Sequence, residues 1–551
     1  MTLNMHHRPW FRRALLYVLA GALIAAFFLQ SFLASLVKSP TSDEPPHIAA
    51  GLSYVQKGAF IPNVQHPPLL KEMAAVSLLL AGIRLPDDPP VNAMLNEPLG
   101  KQLEWSVGNE LITQGGPRRV MFWARLPLIL LSTLLGLLVY VWGRQIAGDV
   151  AGVAALFLFA LDPNLVAHSE LVTTDMGLAA FMTLFFFSLW TWLRRPSLAR
   201  LLWCGFAMGL LLCAKFSAVI MIPVALLLML AAALLTPRTE GQSAVRPLIE
   251  AFGKFAVMSV VAALVIMAIY FSPYGVSEYL RGLRMVNADH DPNYMAFMAN
   301  EVQHRFISYF AVAWLLKEPL ATIAFVILGS VALIRGERFT VLDKLVIFLP
   351  PVVLFIACTI LADNIGIRYV IPAFPFACLA GGVGLAALIG NRSKWALGLA
   401  GVLCLWLVVA AAGIFPDHLS YFNEAACLLD DPGNLGFDGG TRCGPSWLDD
   451  SNTDWGQGMM QLRTWRDAHP DPRPIRIVWS GSFPPEPYGI NTQTPMLSDI
   501  EGNPTPGLYV ISAKYVSRLN LSSFSWLRRV PPTAIVGHAL YVYDIRGSAS
   551  Q

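Results

Sequence analysis

The chain has 551 residues, 55% of them hydrophobic and only 14% charged, which excludes a large soluble enzyme and makes it an integral membrane protein. A net charge of +3, without any basic run, gives no reason to expect a nucleic-acid partner.

Apolar runs long enough to cross a bilayer, roughly 17 to 25 residues each, fall at 14–37, 120–142, 172–193, 217–235, 252–271, 318–334, 345–362, 370–389 and 394–413. Two shorter runs, 149–161 and 199–214, complete a threading of about eleven transmembrane helices. The first run is longer than a signal-peptide core and reads as a retained anchor. Basic residues then recur in alternate loops: Arg8, Arg12 and Arg13; Arg144; Arg194, Arg195 and Arg200; Arg238, Arg246 and Lys254; Arg335, Arg338 and Lys344; Arg392 and Lys394. Basic loops stay cytoplasmic. The pattern predicts a multi-pass plasma (inner) membrane protein with its N-terminus inside and its C-terminal region periplasmic or extracellular.

This orientation leaves five segments outside: a long first loop (38–119), a turn (162–175), a loop (272–317), a second turn (362–372) and everything after 413. The first loop carries the densest pattern. Ser42 can cap a helix, Asp43 and Glu44 stand at its mouth, and Pro45 and Pro46 are tolerated only in a first turn. The helix macrodipole favours acids at that end, and His47 follows Asp43 at i+4, on the same side. A second rigid corner, His66-Pro67-Pro68, leads to Lys71 and to an apolar stretch, 69–83, expected as an interfacial or re-entrant helix.

The chain therefore divides into a membrane domain, 1–413, and a small α/β domain on the outer face, 414–551. In the latter, 474–481, 507–516 and 539–546 read as strands. Asp454 and Gln457 resemble a capping box opening a helix. Asp450, Asn452 and Asp454 imitate the start of a calcium loop, but Trp455 stands where the turn needs Gly and Gln461 where a bidentate Glu belongs. Cys204, Cys213, Cys358, Cys378 and Cys404 lie in apolar runs as small hydrophobes. Cys427 and Cys443 lie in a polar segment and can pair in an oxidising compartment.

The reactive groups crowd the outer face. Asp43, Glu44, His47, His66 and Lys71 come from the first loop, and His168, Glu170 and Asp175 from the first turn. Asp289, His290, Asp291, Glu301 and His304 come from the third loop, and Arg368 with Tyr369 from the second turn. Acids beside lipid are costly unless they face a cavity or a partner. The crowding predicts a polar pocket at one rim, suited to a substrate with its head outside and its tail in lipid. Plainer roles exist for each group. Asp175 can cap the following span, and His168 and Glu170 can pack a loop. Glu301 and His304 fit a surface pair on a helix better than a metal site, and Arg368, Lys215 and Lys317 can snorkel. A transporter or flippase would instead hold its ionisable groups near mid-bilayer, and a non-catalytic envelope scaffold would need no pocket.

The order Asp43-Glu44, then His66-Pro67-Pro68-Leu69-Leu70-Lys71, resembles the protein O-mannosyltransferases of glycosyltransferase family 39. More broadly it is similar to polyprenyl-phosphate-sugar-dependent membrane glycosyltransferases of the GT-C fold. Thr173-Thr174-Asp175, Tyr309-Phe310, Leu316-Lys317-Glu318-Pro319, Arg368-Tyr369, Ser420 to Glu424 and Asp450 to Gln457 resemble bacterial members. Position 70 is Leu where the eukaryotic motif has Gly, and Gln65-His66 stands where lipid A aminoarabinose transferases have Glu-Lys.

The resemblance implies a mainly α, GT-C-like membrane protein that uses a polyprenyl-phosphate sugar donor and a hydroxyl acceptor on a glycan, lipid or protein. It implies an inverting displacement with Asp43 as base and Asp175 as a second acid orienting the acceptor or a metal. Glu44, His47, His66, Lys71, Arg368 and Tyr369 become substrate-binding residues, with Lys71 and Arg368 on the phosphate. His66 either hydrogen-bonds phosphate or ligates a divalent metal ion, the one cofactor the resemblance leaves open.

Overall fold

The computed structural model describes residues 9–96, 101–236, 245–288, 293–501, 504–519 and 525–546. Each predicted crossing falls on an apolar helix. Among the described residues eight helices are long and apolar enough to span a bilayer alone: Arg13–Ser35, Pro117–Ala147, Asp175–Arg194, Phe216–Leu235, Arg246–Ile269, Val341–Leu361, Ile367–Asn391 and Lys394–Ile414. Two bent helix pairs among the described residues reach that length only together: Asp149–Ala160 turns by 66° into Pro163–Ser169, and Tyr309–Lys317 turns by 110° into Leu320–Arg335. The remaining run is the shorter helix Leu198–Ala214. The breaks precede Pro163 and Pro319, which cannot continue a ladder of backbone bonds. Asp162 restarts its helix by accepting from the N–H groups of Asn164 (2.7 Å) and Leu165 (3.1 Å). The chain is a multi-pass, mainly α membrane protein.

One core runs through the bundle from Ala20 to Phe483. Leu320–Arg335 packs on Phe374–Asn391 so closely that a Cβ at Gly329 would collide with the Ala380 carbonyl. At one end of the bundle Thr340 and Asp343 form a capping box, and the Asp343 carboxylate pairs with Arg194 at 2.8 Å. Arg194 closes the helix that Asp175 opens. By helix rise this pair lies about 28 Å from Asp175, at the opposite end.

The tail builds a five-stranded sheet. Ile475–Val478 runs parallel to Thr492–Gln493 on one side and to Gly507–Ser512 on the other. Leu540–Ile545 lies antiparallel between Gly507–Ser512 and Ala534–Val536. The register sets Ile475 beside Leu508 and Leu508 beside Asp544. Ile475 and Ile477 alternate inward, with Leu508 and Val510, to form a small core against Met459 and Leu462.

Four expectations change. The helix after Asp454 begins at Met459, because Asp454 accepts from Gly456 N–H (2.8 Å) and Gln457 Oε1 accepts from Trp455 N–H (2.7 Å), closing a buried loop instead of a capping box. Residues 415–458 do not belong to the sheet, since Phe422, Ala426, Cys427, Cys443 and Leu448 share the core of the spans. Glu301 and His304 are exposed and lie on no helix: Ala296–Met298 and Glu301–Gln303 form a two-stranded hairpin. Ser42 does not cap its helix, as set out below. Asp289, His290 and Asp291 lie outside the described residues. Cys427 and Cys443 are joined as a disulfide.

Candidate active site

The helix Glu44–Lys57 starts at the expected place, with Asp43 as its N-cap and prolines in its first turn. Asp43 makes no side-chain cap bond. Its carboxylate turns outward instead, 27% exposed, and Oδ2 accepts from Arg368 Nη1 at 2.7 Å. Ser42, the expected cap, is pulled into the tail: its N–H donates to the Trp455 carbonyl at 2.9 Å and its hydroxyl to Ser480 O at 3.1 Å. Ser39 N–H reaches Gln457 O at 3.1 Å. The loop carrying Asp43 is thus clamped between the bundle and the tail.

Glu44 is fully buried. Its oxygens accept from Arg125 Nε (2.9 Å) and Nη2 (2.6 Å), Thr41 N–H (2.8 Å) and Val172 N–H (3.0 Å). Arg125 also donates to the carbonyls of Ser35, Lys38 and Ser39. Engaged in this way, Glu44 ties the first loop to the spans. Arg125 escaped notice in the sequence, although a lone arginine inside an apolar run is itself a signal of a buried partner.

Lys71 is likewise interior. Its ammonium donates to Tyr54 OH (2.8 Å), Asn63 O (2.8 Å) and His66 O (2.8 Å), which uses all three of its protons. Burial lowers its pKa from 10.5 to about 7, with Glu104 and Glu72 pulling the other way. This geometry ties the His66 corner to the first helix.

A second cation lies beside Tyr369: Lys215, between Leu198–Ala214 and Phe216–Ile220. Its Nζ lies 2.6 Å from Asp175 Oδ1 and 4.6 Å from the centroid of Tyr369. Neighbouring Arg368 sits with Cζ 4.3 Å over the ring of Trp455. Two adjacent residues, Arg368 and Tyr369, therefore join the two acid–base pairs: Asp43 through the guanidinium and Asp175 through the lysine on the phenol ring. Such cation–aromatic contacts hold charge in place where water is scarce. Arg368 Nε is buried and has no partner, so part of its donor fork stays open.

His47 and His66 line the same corner, their rings 5.3 Å apart and edge to face. Burial drops His47 to about 4, against the opposing charge of Asp43, so it is neutral. Its Nδ1 lies 2.7 Å from Val172 O and must be the donor, which leaves Nε2 as an acceptor. Burial, with the positive charges of Lys71, Lys215 and Arg368 around it, holds His66 well below 6.5. His168 is buried against Trp455 with Nδ1 unpaired. Glu170 pairs with Lys38, away from Asp175.

Asp43 and Asp175 each face a fixed cation, and among the described residues no three His, Cys, Asp or Glu side chains converge.

The model of the dolichyl-phosphate-mannose-protein mannosyltransferase family matches residues 118–271. That stretch carries Arg125, Asp175 and Lys215 but not Asp43 or Arg368. No curated protein sequence matches the chain. Among solved structures, ArnT from Cupriavidus metallidurans bound to undecaprenyl phosphate is 14% identical, with TM-score 0.47, over 96% of this chain and 98% of that one. The apo oligosaccharyltransferase of Archaeoglobus fulgidus is 11% identical, with TM-score 0.49, over 93% of this chain and 72% of that one. AglB from the same organism, with an inhibitory peptide and dolichol phosphate, is 12% identical, with TM-score 0.47, over 92% and 72%. Through residues 118–271 the chain is similar to the dolichyl-phosphate-mannose-protein mannosyltransferases, the same kind of protein its Asp43-Glu44 and His66 to Lys71 motifs resemble.

Proposed function

We propose that the protein is a glycosyltransferase that moves a sugar from a polyprenyl-phosphate donor to an acceptor hydroxyl at the outer face of the membrane, with inversion. The observation that carries this reading is the partly exposed Asp43 carboxylate held by Arg368 beside a second pair, Asp175–Lys215. In the reaction Asp43 takes the proton of the acceptor hydroxyl as its oxygen attacks the anomeric carbon. The bond from that carbon to the phosphate oxygen breaks, and its electron pair leaves on the phosphate. No general acid is required, because phosphate departs without a proton. The open Nε edge of Arg368, with Lys215 close by, stabilises that departing charge. Asp175 fixes Lys215, and Tyr369 supports both cations from beneath.

Two features support an outer-face site. The Cys427–Cys443 disulfide lies in the segment packed at the Asp43 end, and disulfides persist in oxidising compartments. Arg194 and Arg335 close helices at the other end. The acceptor's identity is set by the site and not by the fold.

The test is transfer by purified protein in vesicles supplied with polyprenyl-phosphate sugars. Asp43→Asn should lower turnover about a hundredfold or more while the protein still inserts and folds. Near-normal turnover by Asp43→Asn would remove Asp43 as the base.

A further inference from the structure

The segment after the last span does not rise directly from the membrane. Asn423 donates its backbone N–H to Leu316 O (2.7 Å) and its side-chain amide to Leu315 O (2.6 Å) and Glu318 O (2.7 Å). These are carbonyls left open where the broken crossing bends by 110°. Irregular backbone at such a depth is tolerated where it is packed in protein, as here. Glu424 then accepts from Trp406 Nε1 at 2.6 Å. Trp406 lies two turns before Ile414, the end of the span Lys394–Ile414, or about 12 Å along the helix. On the way back the chain touches the same helix again, so closely that a Cβ at Gly413 would collide with the Phe437 carbonyl. The disulfide between Cys427 and Cys443 closes this excursion at its base.

The outer rim of this loop is apolar. Leu428, Leu429, Leu435 and Phe437 are 56%, 69%, 42% and 86% exposed. They continue the exposed flank of the last span, which presents Val402, Leu405, Val408 and Val409. Four large apolar side chains at that level, beside a face that must meet lipid, are not a water-facing surface. Between them the tip is polar: Asp431 accepts from Gly433 N–H (3.0 Å) and Asn434 Nδ2 (2.9 Å), and its residues are exposed.

We propose that this disulfide-closed loop is a membrane anchor of the outer domain: Leu428, Leu429, Leu435 and Phe437 enter the acyl region of the outer leaflet, and Asp430 to Asn434 stay among the headgroups. The partner is the bilayer itself. The anchor moors the tail beside the last span, so the Trp455 loop and the Asp43 pocket it clamps are held at a constant height above the lipid. This inference rests on the spans and not on the proposed chemistry.

The test uses the full chain in vesicles of phosphatidylethanolamine and phosphatidylglycerol, with Cys404→Ala to remove the half-buried thiol. Single spin labels are attached at Leu435→Cys, Phe437→Cys and Asn434→Cys. At 435 and 437, collisions with dissolved oxygen should exceed those with a water-soluble nickel chelate several-fold, and the order should reverse at 434. Nickel preferred at both 435 and 437 would overturn the proposal by putting the loop in water. Protection of both from either reagent would overturn it in favour of a covering protein, such as a second copy.

Discussion

Arg368 donates through Nη1 to Oδ2 of Asp43 at 2.7 Å, across 325 positions of sequence, with its Nε still unpaired. In the proposed reaction one planar guanidinium holds the carboxylate through Nη1 and the departing phosphate through its remaining N–H groups. A lysine offers a single point and cannot do both. Arg368→Lys is expected to cut turnover about a hundredfold with unchanged thermal stability, measured by sugar transfer in vesicles and by melting in detergent.

Lys215 and Lys71 should separate in donor KM, although Lys215→Met also strands the buried Asp175 carboxylate and lowers stability. Lys215→Met should raise the donor KM more than the acceptor KM, because the pocket loses a cation beside Asp175. Lys71→Met should instead lower stability by about 1–3 kcal/mol for each buried acceptor it orphans, those being Tyr54 OH, Asn63 O and His66 O. If Lys71→Met raised the donor KM without loss of stability, the ammonium would have to reach phosphate after all.

Glu44 and Arg125 form a pair that is buried on both sides. Removing one partner strands the other, so Arg125→Met should destabilise by about 3–5 kcal/mol. The double variant Arg125→Met, Glu44→Leu should recover part of that loss, since two apolar groups leave no uncompensated charge. Chemical unfolding of the four proteins in one detergent gives the cycle.

His538 ties the sheet to the segment after the last span. Its Nδ1 lies 2.9 Å from Asp417 and its Nε2 3.2 Å from Asp438, with Arg442 and Gln461 on the same carboxylates. Burial opposes its charge, and the two carboxylates overcome that, raising its pKa from 6.5 to about 9. A raised pKa favours the folded state fully below the unfolded value and loses that effect as pH climbs through the folded one. Stability should therefore fall between pH 6.5 and about 9. His538→Gln should flatten that part of the profile, measured as melting temperature against pH.

Period, length and charge determined the crossings, because each apolar run must satisfy its own backbone bonds in lipid and so becomes a helix locally. The three tail strands and the cysteine pair were legible for similar reasons of composition and compartment, except that the run read as a strand over 507–516 ends at Ser512 and gives way to the helix Ala513–Leu519. Asp43 and Arg368 could be named from motifs, and so could Asp175. What only the tertiary structure decided is which charged groups face the pocket. Glu44 and Lys71 stand in the same motif as Asp43, yet Arg125 and three local acceptors turn them inward. Lys215 looked like a snorkelling residue and became the partner of Asp175. Charge identity is written in the chain, but a buried charge goes where its counter-charge lies, and that partner comes from helices packed far apart in sequence.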